Sequence, residues 1–351
     1  MKLFLAGIQR EGDMPASPEM IAVKEFLESQ IFAFDGVTGI DIGMRDEESL
    51  DPEDLAIRIF VQDASEISPE INGLIAQFPV PSIILQRRFE PIATLPDTEP
   101  HRPVIGGTSI QAARLANMVA AGTLGAIGQT TATPFPLTVG LSNHHVLAFD
   151  SNRSFGQEMI QPEPGVLGRW PNDVIGRLVN WAYPELVFSG LADAAICTIE
   201  IDSLAEILEL GAITGRASES RGMLVRKRGR TTGLTFGIVT TDSTSASTRG
   251  TYMVRCERFP AVNNPFSNQP TVWRQLTNQF QIKADFPQTI FFSDKGDSGS
   301  AVLDSDNRAV GLLHGSAYVE NDGSVGPATF AIATPIDVVE QQLGITLTAT
   351  V

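Results

Sequence analysis

The sequence predicts a mainly β protein with a C-terminal helix, preceded by a small α/β domain, and three observations carry that expectation. The first hundred residues alternate helical and extended patterns in the order α-β-β-α-β. After residues 95–103, whose prolines and charges read as a linker, short β-type runs are separated by Gly, Asn, Ser and Pro, the texture of a sandwich or barrel. The last helical pattern, 334–344, starts on Thr334 as a candidate N-cap, has Pro335 in its first turn and ends in Gly344.

Each element has a local reason. Ser17-Pro18 reads as an N-cap followed by proline at the first helical position, and Met20, Val23 and Leu27 then share a face, which gives a helix of about 14 residues. Extended segments follow at 37–44 and 55–61, the second placing Leu55, Ile57, Ile59 and Val61 on one side. Ser68-Pro69 repeats the helix start, with Ile71, Leu74, Ile75 and Phe78 at helical spacing, and 81–86 reads as a third strand. Beyond the linker, 223–240, 289–303 and 309–319 are examples of the β-type runs.

Composition excludes several classes of function. With 351 residues and 42% hydrophobic residues the chain can bury a full core, and no apolar run approaches the roughly 20 residues of a membrane span. A formal net charge of −16 disfavours nucleic acid, whose phosphates are bound by Lys and Arg. The stretch 1–13 has one lysine and too short an apolar run for an export signal. Two cysteines, Cys197 and Cys256, are too few for a disulfide framework, so free thiols in a reducing cytoplasm are expected. No metal or cofactor motif is visible.

Two of the four histidines, His144 and His145, stand side by side just after the apolar run 136–141. Downstream, Asp193 heads the apolar run 194–199, and Ser298 sits between glycines in Gly296-Asp297-Ser298-Gly299, in front of a candidate strand at 301–303. A serine hydroxyl is a poor nucleophile at neutral pH; it needs a base within hydrogen-bond reach, and the base needs a third group to fix its tautomer. His, Asp and Ser supply those roles. Gly296 lets the backbone turn so that its N–H and that of Ser298 can aim at one point, an oxyanion hole, and Gly299 leaves room for close backbone packing behind the serine. The nucleophile elbow of α/β-hydrolases does not fit, because position 300 is serine and the base of that fold comes last in the chain.

The order His, Asp, Ser, at spacings of 48 and then 105 positions, resembles the chymotrypsin/trypsin-like serine peptidases. The segments around 121–148, 191–196, 226–239 and 296–303 are similar to bacterial intracellular trypsin-like peptidases that carry an N-terminal α/β domain. The resemblance implies a chymotrypsin-like double β-barrel with a C-terminal helix, with barrel 1 at about 107–205 and barrel 2 at about 206–345, residues 101–351 forming the protease domain and 1–100 the N-terminal one. It aligns His145, not His144, with the general base, Asp193 with its partner and Ser298 with the nucleophile. It places Phe292, six residues before the serine, at the base of the specificity pocket, and His314, Gly315 and Ser316 on the strand that lines the cleft. An uncharged residue before the scissile bond is then expected, not Arg or Lys. His314 is a candidate to touch the peptide or orient Asp193, with packing the plain alternative.

Relatives that are secreted pair a newly cut N-terminus with the aspartate matching Asp297. Residues 102–107, Arg-Pro-Val-Ile-Gly-Gly, echo that motif, yet Pro103 would block a trypsin-like cut, so the echo is read as chance. The basic cluster Arg226, Lys227, Arg228 and Arg230 reads as a solvated face beside a turn, and Cys197 as buried core. The expected partner is a protein or peptide substrate, with neither nucleic acid nor membrane, and a regulatory protein is a candidate partner of residues 1–100. The competing class is a non-catalytic protease fold kept as a binding scaffold.

Overall fold

The computed structural model describes residues 16–46, 54–90, 97, 99–113, 121–131, 134–148, 155–163, 171–184, 189–241, 248–256, 272–285, 288–289, 291–318, 320–321, 324–325 and 330–347. The stretch 1–13 and the side chain of Cys256 lie outside them.

The first helix, Pro18–Ile31, begins where its cap signal places it, with Ser17 Oγ accepting from Met20 N–H at 3.1 Å. It buries Met20, Val23, Leu27 and Ile31 against the strands Val37–Met44 and Leu55–Val61. Leu27 and Ile31 are fully buried, each worth roughly 2 kcal/mol of transfer free energy. The two strands pair antiparallel, and Ser82–Gln86 adds parallel to the second after the helix Pro69–Ile75.

This sheet does not stop at the N-terminal region. Gly39 and Ile40 pair with Tyr252 and Thr251 of the strand Gly250–Cys256, which pairs in turn with Val272–Ala284. A buried polar network marks the junction. Arg58 donates twice to Asp41 at 2.7 Å, Tyr252 Oη donates to the same carboxylate at 2.5 Å, and Thr241 Oγ1 approaches it at 3.3 Å. Position 43 must be glycine, because a Cβ there would collide with the Arg58 guanidinium.

The remaining strands close two antiparallel barrels. In the first, Thr108–Ala112 pairs with Gly122–Leu124, which runs through Gly125 into Ala126–Thr130; the ring continues through Thr138–Ser142, Ala194–Thr198, Val174–Ala182 and Glu158–Ile160 and returns to Thr108–Ala112. In the second, Leu224–Gly229, Gly233–Val239, Val272–Ala284, Phe330–Pro335, Arg308–Tyr318 and Ala301–Asp304 close on one another. Closure removes the edges that an open sheet leaves.

The C-terminal helix, Ile336–Leu343, packs Ile336, Val339 and Leu343 into a core shared by both barrels, beside Leu141 and Ile196 of the first and Leu303 and Leu312 of the second. It ends at Gly344 in the left-handed conformation, φ 65°. Its N-cap is Pro335 and not Thr334, because the strand Phe330–Pro335 runs directly into the helix and Thr334 spends its hydroxyl on Gln279 Oε1 at 2.7 Å. Among the described residues, no helix is long and apolar enough to cross a membrane.

Candidate active site

The strand Thr138–Ser142 ends at Asn143, and a single turn of helix, His144–Leu147, follows. Val146 and Leu147 are buried in the first barrel, which leaves His145 partly exposed on the other side of the turn. Asp193 stands next to it because the strand it precedes pairs with Thr138–Ser142, Ala195 opposite Ser142. Asn143 Nδ2 ties the two together by donating to the Asp193 carbonyl at 2.6 Å.

His145 Nδ1 lies 2.6 Å from Asp193 Oδ2, and the His145 backbone N–H donates to Oδ1 at 3.1 Å. Burial alone would raise the Asp193 pKa, but the His145 imidazole, by charge and hydrogen bond, brings it down to about 2. Asp193 is therefore an ionised acceptor facing His145 Nδ1. His144 points elsewhere, its ring stacked on Tyr183 at 4.4 Å.

The loop bearing Ser298 belongs to the second barrel and rests against the first. Thr123 N–H donates to Ser298 O at 2.8 Å, and a Cβ at Gly122 would stand 2.8 Å from both Ser298 O and Val146 Cγ1. The serine backbone thus lies beside the residue that follows His145. Gly299, at φ +94°, allows this contact, since a Cβ there would collide with Ser142 Oγ and Thr123 O.

Within the loop the N–H groups alternate. Asp297 donates to Asp294 O, Gly299 to Leu313 O and Ser300 to Asp297 O, while the N–H groups of Gly296 and Ser298 donate to no acceptor among the described residues. The carbonyls around them are turned away: Thr231 Oγ1 donates to Lys295 O at 2.5 Å and Thr123 Oγ1 to Gly296 O at 2.8 Å. Two free donors flanking the serine can stabilise charge on a carbonyl oxygen.

Asp297 anchors the loop, fully buried. Its carboxylate accepts from the N–H groups of Thr231, Thr232 and Asp294, from Thr232 Oγ1 at 2.6 Å and from Lys227 Nζ at 3.1 Å. Burial would raise its pKa; the Lys227 charge and these hydrogen bonds hold it below the usual carboxylate range. Lys227 was not singled out in the sequence as the partner of Asp297, because 70 residues separate them. Three of the four residues of the basic cluster are consequently not on a solvated face, while Arg226 is half-buried and donates to Ser305 O and Asn307 Oδ1. Lys227 is fully buried on Asp297, Arg228 pairs with Asp97 at 2.7 Å and Arg230 with Glu163, each cation drawn inward by a carboxylate distant in sequence.

The expected pocket residues do not all face one space. Phe292 is buried in the core of the second barrel with Val225, Val239 and Phe280, and its carbonyl accepts from Thr235 Oγ1 at 2.6 Å. His314 is buried, its Nε2 2.8 Å from Gln279 Oε1, and burial lowers its pKa to about 4, so it is neutral. Ser316 Oγ meets Ser293 Oγ at 2.6 Å, which adds Ser293 to the strand that carries His314 and Gly315; a serine five places before the nucleophile gives no signal of its own in the sequence. Cys197 is a buried free thiol whose pKa burial pushes up to about 12, so it is no nucleophile. No group of three His, Cys, Asp or Glu among the described residues is placed to hold a metal ion.

Two closed barrels, a C-terminal helix and a glycine-framed serine loop make up a chymotrypsin-like double β-barrel fold. Solved structures similar to this chain include a glutamic acid specific serine protease that utilizes a histidine triad in substrate binding, at 19% identity and TM-score 0.43, over 69% of this chain and 99% of that one. Thermobifida fusca protease A is similar at 16% identity and TM-score 0.42, over 70% and 98%. Cellulomonas bogoriensis chymotrypsin is similar at 16% identity and TM-score 0.41, over 70% and 99%. No family model matches the sequence, and no curated protein does.

Proposed function

We propose that the chain is a serine endopeptidase in which His145 is the general base, Asp193 orients it, Ser298 attacks the peptide carbonyl, and the N–H groups of Gly296 and Ser298 stabilise the oxyanion. The observation that carries this reading is the 2.6 Å contact from His145 Nδ1 to the buried, ionised Asp193, which leaves Nε2 as the nitrogen that can act as a base. Nε2 takes the Ser298 proton as Oγ bonds to the carbonyl carbon, then returns it to the departing amine; a water repeats the sequence to release the acyl group. The Lys227–Asp297 pair holds the loop from within the chain, so no newly cut N-terminus is needed. With Phe292 withdrawn into the barrel core and hydroxyls at Ser293 and Ser316, the residue before the scissile bond is uncharged. The substrate is a protein or peptide and the setting cytoplasmic.

A fluorophosphonate probe tests this, since only an activated serine is labelled. Wild type is expected to be labelled at Ser298 and to lose on the order of 10⁴–10⁶ in peptidase rate as Ser298→Ala. A folded wild-type protein that takes up no label is a scaffold instead.

A further inference from the structure

The strand Arg308–Tyr318 has two edges, and one of them leads to Ser298. Its far edge pairs with Phe330–Pro335 on both sides of a register shift between Leu313 and Gly315. On the near edge, Ala301–Asp304 pairs with the first half of the strand, and the contact then passes to the nucleophile loop: Leu313 N–H donates to Ser300 O at 3.0 Å and Gly299 N–H to Leu313 O at 2.8 Å. Beyond Leu313 the loop turns away, and His314 and Gly315 face no strand on this edge among the described residues. From Ser316 the edge is occupied again, by Arg88–Glu90, which pairs antiparallel with Glu90 opposite Ser316, Phe89 opposite Ala317 and Arg88 opposite Tyr318.

An open strand edge next to an activated serine is a template for any extended peptide, whose main chain adds to it as a new strand. Arg88–Glu90 already does so. A ladder continued in its register reaches His314 after two more residues, next to the Leu313–Gly299 bond behind the serine. The next described residue of the chain, Asp97, is linked to Ser298 by a hydrogen-bond relay: Asp97 N–H donates to Arg230 O at 2.8 Å, Arg230 N–H to Thr123 Oγ1 at 3.0 Å and Thr123 N–H to Ser298 O at 2.8 Å.

The N-terminal sheet holds this strand in place through Arg87. Its N–H donates to Val61 O at 2.8 Å, its carbonyl accepts from Thr38 Oγ1 at 2.6 Å, and its guanidinium lies 3.8 Å from the centre of the Phe330 ring, in the strand that flanks Arg308–Tyr318. We infer that Arg88–Glu90 is an intramolecular occupant of the peptide-docking edge, so that substrate enters only by displacing the chain's own strand. The inference rests on the endopeptidase reading above and names its regulation. A tethered strand acts at an effective concentration in the millimolar range, well above that of a free substrate at micromolar levels.

The test is made in the Ser298→Ala background, where docking is read without hydrolysis. The probe is a fluorescein-labelled synthetic peptide with the sequence of residues 86–97. Its Kd, by anisotropy, is compared between S298A and S298A carrying Phe89→Pro and Glu90→Pro, which remove two consecutive N–H donors, so that whichever of them bonds the ladder is lost. The expected result is a Kd at least tenfold lower once the strand is unseated. Equal Kd values in two folded proteins would overturn the inference. Hydrogen exchange on S298A alone needs no proline: slow exchange at amides 316–318 that added peptide does not deepen supports the occupied edge, and fast exchange that the peptide slows refutes it. Fluorophosphonate labelling of the protein with Ser298 intact reports on catalysis separately, so a failed protease and an empty edge give different results.

Discussion

The first barrel presents its histidine with few bonds. The second surrounds the carboxylate before its serine with many. His145 rides on one turn of helix between a strand end and Asp193, where regular structure already satisfies the backbone. The serine loop has no such support, since Gly296 and Gly299 are at φ +102° and +94° and no ladder runs through it. Its shape is imposed from Lys227, Thr231, Thr232 and Thr123, all on other segments. A base can be positioned by secondary structure; an oxyanion hole needs a non-local network.

The comparison breaks most sharply at the histidines. His145→Ala should cost a factor of about 10⁴ or more in kcat/KM, whereas His144→Ala, whose ring stacks on Tyr183, should cost less than about tenfold. Fluorophosphonate labelling rates on the two variants decide it, and a His144→Ala variant that takes up no label would move the base by one residue.

Lys227→Met tests the other barrel. It leaves Asp297 buried without its cation, and stability to urea should fall by about 3–5 kcal/mol, with slower labelling of Ser298 as the loop relaxes. If this variant unfolds no more easily than His145→Ala, the asymmetry between the barrels is gone.

The smallest effect is a pH dependence seated at His314. Burial depresses its pKa from 6.5 to about 4, so between these values the unfolded chain takes up a proton that the folded chain refuses. Its contribution is present above pH 6.5 and is lost as the pH falls toward 4. Between pH 7 and 4.5 wild type should lose about 2 kcal/mol more than His314→Gln, measured by thermal unfolding of both. Parallel curves would remove His314 from the account.

Much of the fold was legible because its signals are local. Ser17-Pro18 starts a helix wherever an apolar stripe follows, and alternation in 55–61 needs only its own residues. The segments that meet as His145 on Asp193 were legible for the same reason, each being a short motif at a strand end. What escaped was every partner set by long-range register. Nothing near Lys227 announces Asp297, nothing near Arg228 announces Asp97, and a cationic run without visible anions reads as surface. The pairing of Val37–Met44 with Gly250–Cys256 was likewise out of reach, as two unrelated strands carry no mutual label.

That last pairing sets a timetable for synthesis. Asp41 and Tyr252, which share a hydrogen bond in the folded protein, are 211 residues apart. At a ribosomal rate of roughly 5–20 residues per second, about 10–40 s pass between the emergence of the two. Throughout that interval the strand Val37–Met44, all of whose residues end up buried, has one side with no partner, and Asp41 and Arg58 lack the tyrosine that seals them. The nascent chain carries a sticky edge for most of its translation, and slow decoding or a crowded polysome lengthens its exposure to neighbouring copies.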